Sequence, residues 1–261
     1  MGERNAYPHG TFCWSELVST DHEGAKAFYG SLFGWSAEDA PVGEGMSYTM
    51  FQLQGKDVAA GYAMGEEQKA TGHPPYWGSY ISVDDVDTIA KRVPELGGTL
   101  LSEPFEVMDT GRMAMVRDPA EAIVGLWQPK SHIGARIVNE PGTLCWNELM
   151  VTDTSVAEKF WTELLGWTAE TMTDGSVPYT MFHNGDRVVA GMYEMDPGMG
   201  APPSWLVYFA VTDCDESAAK LEKLGGTVLR PPFDIPVGRM AIVQDAQGAA
   251  FALLKLTQPQ D

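Results

Sequence analysis

Two glutamates, Glu16 and Glu148, lie in two stretches of almost the same sequence. Residues 13–21 read Cys-Trp-Ser-Glu-Leu-Val-Ser-Thr-Asp, and residues 145–153 read Cys-Trp-Asn-Glu-Leu-Met-Val-Thr-Asp. The alternation predicts a strand in which each glutamate shares a face with the tryptophan two residues before it. Because burying an unpaired carboxylate is costly, each glutamate needs either a partner or a chemical role.

Two interpretations of these glutamates are open. As a chemical group, each is a general base whose pKa is raised in a dry aromatic cavity, or an anchor for a cation or hydroxyl of a ligand. As a structural group, each accepts hydrogen bonds from backbone N–H groups or pairs with a side chain such as arginine. The repetition in both halves is a mild argument for the structural role, since duplicated structural contacts survive easily.

Seven further side chains are candidates for ligand contact. Three tryptophans have the inner parity of their strands and either stack on a planar ligand or fill the core. Two tyrosines present a hydroxyl to a ligand or are ordinary residues of a sheet. Two arginines that follow a glycine bind an anionic group, pair with the glutamates or are solvated. These residues are Trp14, Trp127, Trp146, Tyr80, Tyr208, Arg112 and Arg239.

The repeat that carries these residues extends over nearly the whole chain. Phe28 returns as Phe160, 132 residues later, and Gly111 returns as Gly238, 127 residues later. Each half is predicted to contain the order strand, helix, three strands twice, which makes four βαβββ modules per chain. The sequence therefore predicts an α+β fold of two tandem domains, 8–129 and 140–257. Each domain is a curved mixed sheet around a cavity with its helices outside.

Composition excludes several classes of partner. The chain has 261 residues and a formal net charge of −19, which argues against nucleic acid and against an anionic membrane. No apolar run is long enough to span a bilayer, and the first ten residues lack an apolar signal core. The three cysteines form no CxxC pair. We expect a cytoplasmic protein with buried, unreactive thiols.

Several motifs of the repeat resemble the vicinal oxygen chelate superfamily, which includes glyoxalase I, extradiol dioxygenases and bleomycin-resistance proteins. The two-domain form with Cys-Trp-x-Glu-Leu and the linker residues 132–135 is similar to an actinobacterial group that includes a mycobacterial culture-filtrate antigen. Members of that group are described as glyoxalase-like proteins or hydroxylases. The motifs are the strand ending in Asp21, Phe28-Tyr29, Leu32-Phe33-Gly34-Trp35, Val83-Asp84-Asp85-Val86, Leu96-Gly97-Gly98 and Asp118-Pro119, with counterparts in the second half.

This resemblance implies four inward strand positions per half at which metal-using members place His or Glu. None of the corresponding residues offers a ligand suited to a catalytic metal. The five histidines (9, 22, 73, 132 and 183) lie elsewhere, in the tail, at a helix start, in loops and in the linker. We therefore expect no metal in either half and no other cofactor. The residues are Trp14 and Trp146, the neighbourhoods of Gly61 and Gly191, Gly78 and Leu206, and Gly125 and Ala252.

Three functions remain open. The first is a metal-free protein that binds a small aromatic or polycyclic metabolite or an antibiotic. The second is an enzyme, glyoxalase-like or a cofactor-independent hydroxylase, with Glu16 or Glu148 as acid or base. The third is a structural or regulatory partner of another protein. In each case we expect the two halves to pack as an intrachain pseudo-dimer, in a chain that is a monomer or a homodimer.

Overall fold

The computed structural model describes residues 2–43, 46–70, 72–173, 177–196, 198 and 200–257. Each half of the chain forms one mixed β-sheet with helices on one side. The elements of the first half are β1 Thr11–Ser19, α1 His22–Phe33, β2 Ser36–Gly43, β3 Met46–Leu53, β4 Lys56–Ala63, α2 Glu66–Ala70, β5 Tyr76–Ser82, α3 Val86–Glu95, β6 Thr99–Leu100, β7 Phe105–Val107, β8 Gly111–Arg117 and β9 Ile123–Pro129.

In the described residues of the second half, the same order is repeated with one helix and one strand fewer. Its elements are β10 Leu144–Val151, α4 Thr154–Leu165, β11 Thr168–Met172, β12 Tyr179–Asn184, β13 Arg187–Glu194, β14 Ser204–Ala210, α5 Cys214–Lys223, β15 Thr227–Ile235, β16 Gly238–Gln244 and β17 Ala250–Leu256. The four predicted βαβββ modules are therefore present, except that β6 and β7 together take the place of β15 and that α2 was not predicted.

The two sheets share one topology. The strand order is β2-β3-β4-β1-β5-β9-β8-β6 in the first sheet, where β7 also pairs with β8, and β11-β12-β13-β10-β14-β17-β16-β15 in the second. In each sheet the opening strand of the half lies at the centre. There β1 is parallel to β4 and antiparallel to β5. Residues of the repeated Cys-Trp-x-Glu-Leu motif therefore have neighbouring strands on both sides.

The sequence fixes both ends of the long helices. Asp21 and Asp153 lie in extended conformation before α1 and α4, and their carboxylates accept hydrogen bonds from backbone N–H groups of the first turn. The same helices end at Gly34 and Gly166, which have φ angles of 77° and 73° that only glycine adopts without strain. Both helices are therefore bounded by an aspartate N-cap and a glycine at the C-cap position.

The central strand divides its side chains between the two faces of the sheet. Leu17 packs with α1 in the core beside the helices, whereas Trp14 and Glu16 project from the opposite face, here called the inner face. A register shift between Phe12 and Trp14 marks a β-bulge at Cys13, and an equivalent shift between Leu144 and Trp146 marks one in β10. The bulges leave the predicted parity of the glutamates unchanged.

Two cores on the helix-bearing sides contain residues from both halves of the chain. In the first, Tyr29 of α1 packs against Phe251 of β17, and its hydroxyl donates to Asp245 at 2.9 Å. In the second, the indole N–H of Trp161 in α4 donates to Asp118 at 2.9 Å. The halves are therefore joined through their helical faces, which leaves the inner face of each sheet on the far side. No helix in the described residues could cross a membrane.

Candidate functional site

Glu16 is the centre of a hydrogen-bond network on the inner face of the first sheet. Its carboxylate accepts a hydrogen bond from the Tyr80 hydroxyl at 2.8 Å and another from the Tyr48 hydroxyl at 2.7 Å. The indole N–H of Trp14 donates in turn to the Tyr48 hydroxyl oxygen at 3.3 Å. The strands β1, β3 and β5 thus supply one polar cluster, which we call the N-terminal network, and β4 lies between β3 and β1.

Glu148 has the same surroundings in the second sheet. The Tyr208 hydroxyl donates to its carboxylate at 2.5 Å, and the Tyr179 hydroxyl lies near enough to lower the pKa of the carboxyl group. The Trp146 indole N–H donates to the Tyr179 oxygen at 3.2 Å. We call this cluster the C-terminal network. The partners that the buried carboxylates require are therefore tyrosine hydroxyls, and the arginine considered in the sequence analysis is not among them.

Two glycines on the inner faces make room for these tyrosines. A Cβ atom at position 125 would overlap the Tyr80 ring, and one at position 191 would overlap the Tyr179 hydroxyl. Tyr80 therefore lies directly over the Gly125 backbone, and Tyr179 lies over Gly191 on its way to the glutamate. The absence of a side chain at these positions is part of how each network is built.

Burial sets the proton affinity of the networks. It raises the pKa of Glu16 and of Glu148, and hydrogen bonds from their tyrosines partly oppose this rise. The pKa values of Tyr80 and Tyr208 are raised well above the ordinary range by the same burial. Each network thus combines a carboxylate that takes up a proton readily with hydroxyls that keep theirs. Such a group can accept a hydrogen bond, anchor a ligand hydroxyl or exchange a proton with it.

The strand register shows which residues occupy the second and third predicted metal positions of each half. Three of these four residues lie beside a glutamate as expected, and one is corrected. Glu16 pairs with Ala60 and Gly78, and Gly61 pairs with Leu17 on the helix-bearing face. In the first half the second position is therefore Ala60, because β4 is shifted by one residue from the expected register. In the second half Glu148 pairs with Gly191 and Leu206, as expected.

The fourth predicted metal position of each half lies opposite a tyrosine of the network. Gly125 lies opposite Tyr80, and Ala252 lies opposite Tyr208. Across the described residues, no group of three or more His, Cys, Asp and Glu side chains is arranged to hold a metal ion. The inner faces thus present aromatic rings, hydroxyls and one carboxylate each, around backbone and aliphatic positions.

Arg112 and Arg239 are not brought to the networks. Arg112 shares the helix-bearing face with the buried Ala114, and its guanidinium contacts both carboxylate oxygens of Asp87 at 2.9 Å. Arg239 makes the equivalent pair with Asp215 at the start of α5. Both arginines therefore tie a strand to the first turn of the helix behind it, where a carboxylate is also favoured by the helix dipole.

Trp127 lies on the inner face, as predicted, but its surroundings include the linker. Its indole N–H donates to the carbonyl oxygen of His132 at 2.9 Å. In the second half the equivalent position is Leu254, which belongs to an apolar cluster with Tyr208 and Met240.

Three residues at the networks were not among the candidates from the sequence: His132, Tyr48 and Tyr179. The two tyrosines could have been found, because both belong to the repeated segment Tyr-Thr-Met-Phe.

Two surface clefts, of about 340 and 360 Å³, lie along the N-terminal segment and the β3–β4 turn. None of the network residues lines either cleft. The networks themselves are largely covered, since Glu148 is 7% exposed and Glu16 is half-buried. The clefts are polar surface depressions without convergent buried groups, whereas the polar groups of each network converge on one carboxylate.

Known sequences and structures place the chain in a family. A sequence model described as Glyoxalase/Bleomycin resistance protein/Dioxygenase superfamily matches residues 12–126 and again 143–253. The chain belongs to this superfamily. The two matches correspond to the two sheets, so each half is one glyoxalase-like domain of the α+β class.

The most similar superfamily members include a protein named "Putative glyoxylase CFP32" of Mycobacterium tuberculosis, 45% identical over 98% of both chains. "Anthracycline biosynthesis protein DnrV" of Streptomyces peucetius is 35% identical over 95% of this chain and 94% of its own.

Solved structures of the superfamily share the fold at low identity. The Mn(II)-bound glyoxalase from Novosphingobium aromaticivorans superimposes with a TM-score of 0.66 at 14% identity, over 100% of this chain and 87% of its own. The 2,3-dioxygenase LapB from Pseudomonas sp. KL28 gives 0.66 at 13% identity, over 97% and 95%.

Proposed function

We propose that this protein binds a planar, hydroxylated aromatic small molecule on the inner face of a sheet, without a metal ion. The observation that carries the proposal is the Trp–Tyr–Glu–Tyr network, built twice on the faces where metal-using relatives hold their ion. The indole ring supplies a surface for stacking. The carboxylate and the tyrosine oxygens supply acceptors for ligand hydroxyls.

The residues at the four inner positions do not fit a divalent cation. Ala60, Gly78 and Gly125 in the first half carry no donor atom, and Trp14 offers only an N–H group that cannot ligate a metal. The second half has the same character at Trp146, Gly191, Leu206 and Ala252. A single glutamate per face supplies too few ligands, and both of its oxygens serve the tyrosines in the first network. No step of the proposed function uses a metal.

The ligand class is supported by the chemistry of the inner face and by one relative. Rings dominate this face, and its polar groups are few and convergent, which is typical of sites for flat, sparingly polar ligands. The relative with 35% identity is named for anthracycline biosynthesis, and anthracyclines are polycyclic aromatic compounds with ring hydroxyls. A hydroxylated polycyclic metabolite or antibiotic is therefore the proposed ligand class.

The proposal is tested by titrating the protein with alizarin (1,2-dihydroxyanthraquinone), whose visible absorbance reports binding. We expect binding that weakens at least about tenfold in the Glu16→Gln, Glu148→Gln double variant, because hydrogen bonds to a charged acceptor contribute roughly 1.5–3 kcal/mol. Glutamine keeps the shape of the side chain, and circular dichroism controls for folding. Equal affinity in the double variant would remove the networks from the binding site, and no binding of a panel of hydroxyanthraquinones would reject the ligand class.

A second candidate function is acid–base catalysis, which the raised pKa of each glutamate favours. A glutamate base of this kind removes a proton from carbon next to a carbonyl group. The discriminating test is incubation with 1-tetralone in D2O, followed by mass spectrometry. Deuterium uptake that the double glutamine variant lacks would support the enzyme, and a ketone returned unlabelled by a protein that binds alizarin would support the binder.

A further inference from the structure

The two inner faces differ in one respect that bears on where a ligand binds. In the first half, the ring of His132, from the inter-domain linker, lies edge-on to Trp14 with 4.6 Å between ring centroids and an interplanar angle of 83°. The same ring contacts Trp127 at 5.8 Å and 73°. The imidazole therefore fills the space between these two tryptophans, for which the sequence left both ligand stacking and core filling open.

The backbone of the linker is held in place around this ring. The Trp127 indole N–H donates to the His132 carbonyl, and the His132 N–H donates to the Thr110 carbonyl at 3.1 Å. Three residues further on, the Ala135 N–H donates at 2.8 Å to the carbonyl of Cys13, the bulge residue of β1. The Tyr7 hydroxyl donates to the Ala135 carbonyl at 2.7 Å. These bonds fix the segment 132–135 across the first sheet.

The equivalent tryptophans differ in exposure as a result. Trp14 is 4% exposed and Trp127 is 7% exposed, whereas Trp146, the counterpart of Trp14, is half-buried. No aromatic ring in the described part of the chain lies against Trp146. Burial lowers the pKa of His132, which favours the neutral ring against the indoles; nearby Asp57 partly opposes this shift and Arg136 adds to it.

We infer that His132 is an internal occupant of the N-terminal inner face, so that Trp146 of the C-terminal network is the indole open to a stacking ligand. The inference rests on the proposed function for the identity of the site, and it adds which of the two sites works. A ligand that stacks on Trp146 lies next to the Tyr179 hydroxyl, which the indole N–H contacts at 3.2 Å. A ligand that stacks on Trp14 must first displace the imidazole of His132, which breaks the contacts of that ring with Trp14 and Trp127.

The first test needs no ligand and uses acrylamide, a neutral quencher of tryptophan fluorescence. Replacing Trp146 with phenylalanine leaves seven of the eight tryptophans. In this variant we expect acrylamide to quench almost none of the tryptophan fluorescence. Adding His132→Ala, which keeps the backbone hydrogen bonds, is expected to expose one or two further indoles, Trp14 and Trp127. His132→Phe retains a ring and is the matched control that leaves quenching low. Unchanged quenching in the His132→Ala protein would overturn the inference.

The second test counts sites with alizarin. We expect one alizarin per chain in the unaltered protein and in His132→Phe, and two in His132→Ala. Two per chain in the unaltered protein would overturn the inference while leaving the proposed function intact. If alizarin binds to none of these proteins, the proposed function fails for this ligand class, and the acrylamide result still decides whether His132 covers the N-terminal face.

Discussion

Replacing Tyr29 with phenylalanine is expected to lower the free energy of unfolding by about 2–5 kcal/mol, measured by urea denaturation. The Tyr29 hydroxyl is fully buried, accepts a hydrogen bond from the Trp77 indole N–H at 2.9 Å and donates to Asp245. Phenylalanine removes one oxygen and leaves two buried polar groups without this partner. Because Asp245 belongs to the other half of the chain, the loss also weakens the contact between the halves.

A double-mutant cycle separates the hydrogen bonds from loss of packing. Trp77→Phe is introduced alone and together with Tyr29→Phe, and the coupling is expected to reach about 1 kcal/mol because the two side chains share a buried bond. The second half offers a natural control. There Trp205 is the counterpart of Trp77, and its indole N–H has no hydrogen-bond partner in the described residues. Trp205→Phe should therefore cost less than Trp77→Phe, and equal costs would contradict this account of the core.

Replacing Gly191 with alanine is expected to weaken alizarin binding at least about tenfold, or roughly 1.4 kcal/mol. The new methyl group occupies the position of the Tyr179 hydroxyl, so the tyrosine must leave Glu148 and Trp146. Forcing one methyl group into a packed face also costs about 1–3 kcal/mol of stability. Binding and unfolding are measured on the same preparation, so that the loss of affinity is read from folded protein.

Gly125→Ala is the matched control for this variant. Its methyl group overlaps the Tyr80 ring and disturbs the N-terminal network through the other of its two tyrosines. We expect a similar loss of stability, but unchanged alizarin binding, because His132 already covers that face. If Gly125→Ala weakens binding as much as Gly191→Ala does, the two faces are equivalent as ligand sites.

The residues of each network that belong to one strand could be predicted from the sequence. Alternation within β1 and β10, together with the repeat, is enough to place Trp14 and Glu16 on one face and Trp146 and Glu148 on its equivalent. The caps of α1 and α4 follow from local sequence in the same way. These features depend only on a residue and its neighbours within a few positions.

The partners on other strands depend on register, which the sequence does not specify closely. The register of β3 and β4 pairs Met50 with Ala60, the partner of Glu16, and Tyr48, two residues before Met50, reaches the glutamate. A one-residue difference in β4 exchanged Ala60 for Gly61. The alternation of β8 does indicate the face of Arg112, because Ala114 and Val116 have the same parity and are buried beside the helices. The position of Arg112 after a glycine is therefore not a sign of ligand contact.

Contacts between distant segments were beyond sequence reasoning. His132 lies in a linker whose path depends on backbone bonds to Cys13 and Thr110, and no periodic pattern marks it. Tyr29 and Asp245 are 216 residues apart, and each alone is an ordinary residue of a helix or a turn. Both belong to the packing of one half against the other, which emerges only when both sheets are formed.

The most direct test of the central claim is the alizarin titration on protein whose metal content has been measured, before and after treatment with EDTA that is then removed. We expect the same affinity before and after treatment, less than about 0.1 metal ion per chain in the purified protein, and weaker binding in the Glu148→Gln variant. About one metal ion per domain, together with binding that EDTA abolishes, would contradict the account and return metal chemistry to these faces.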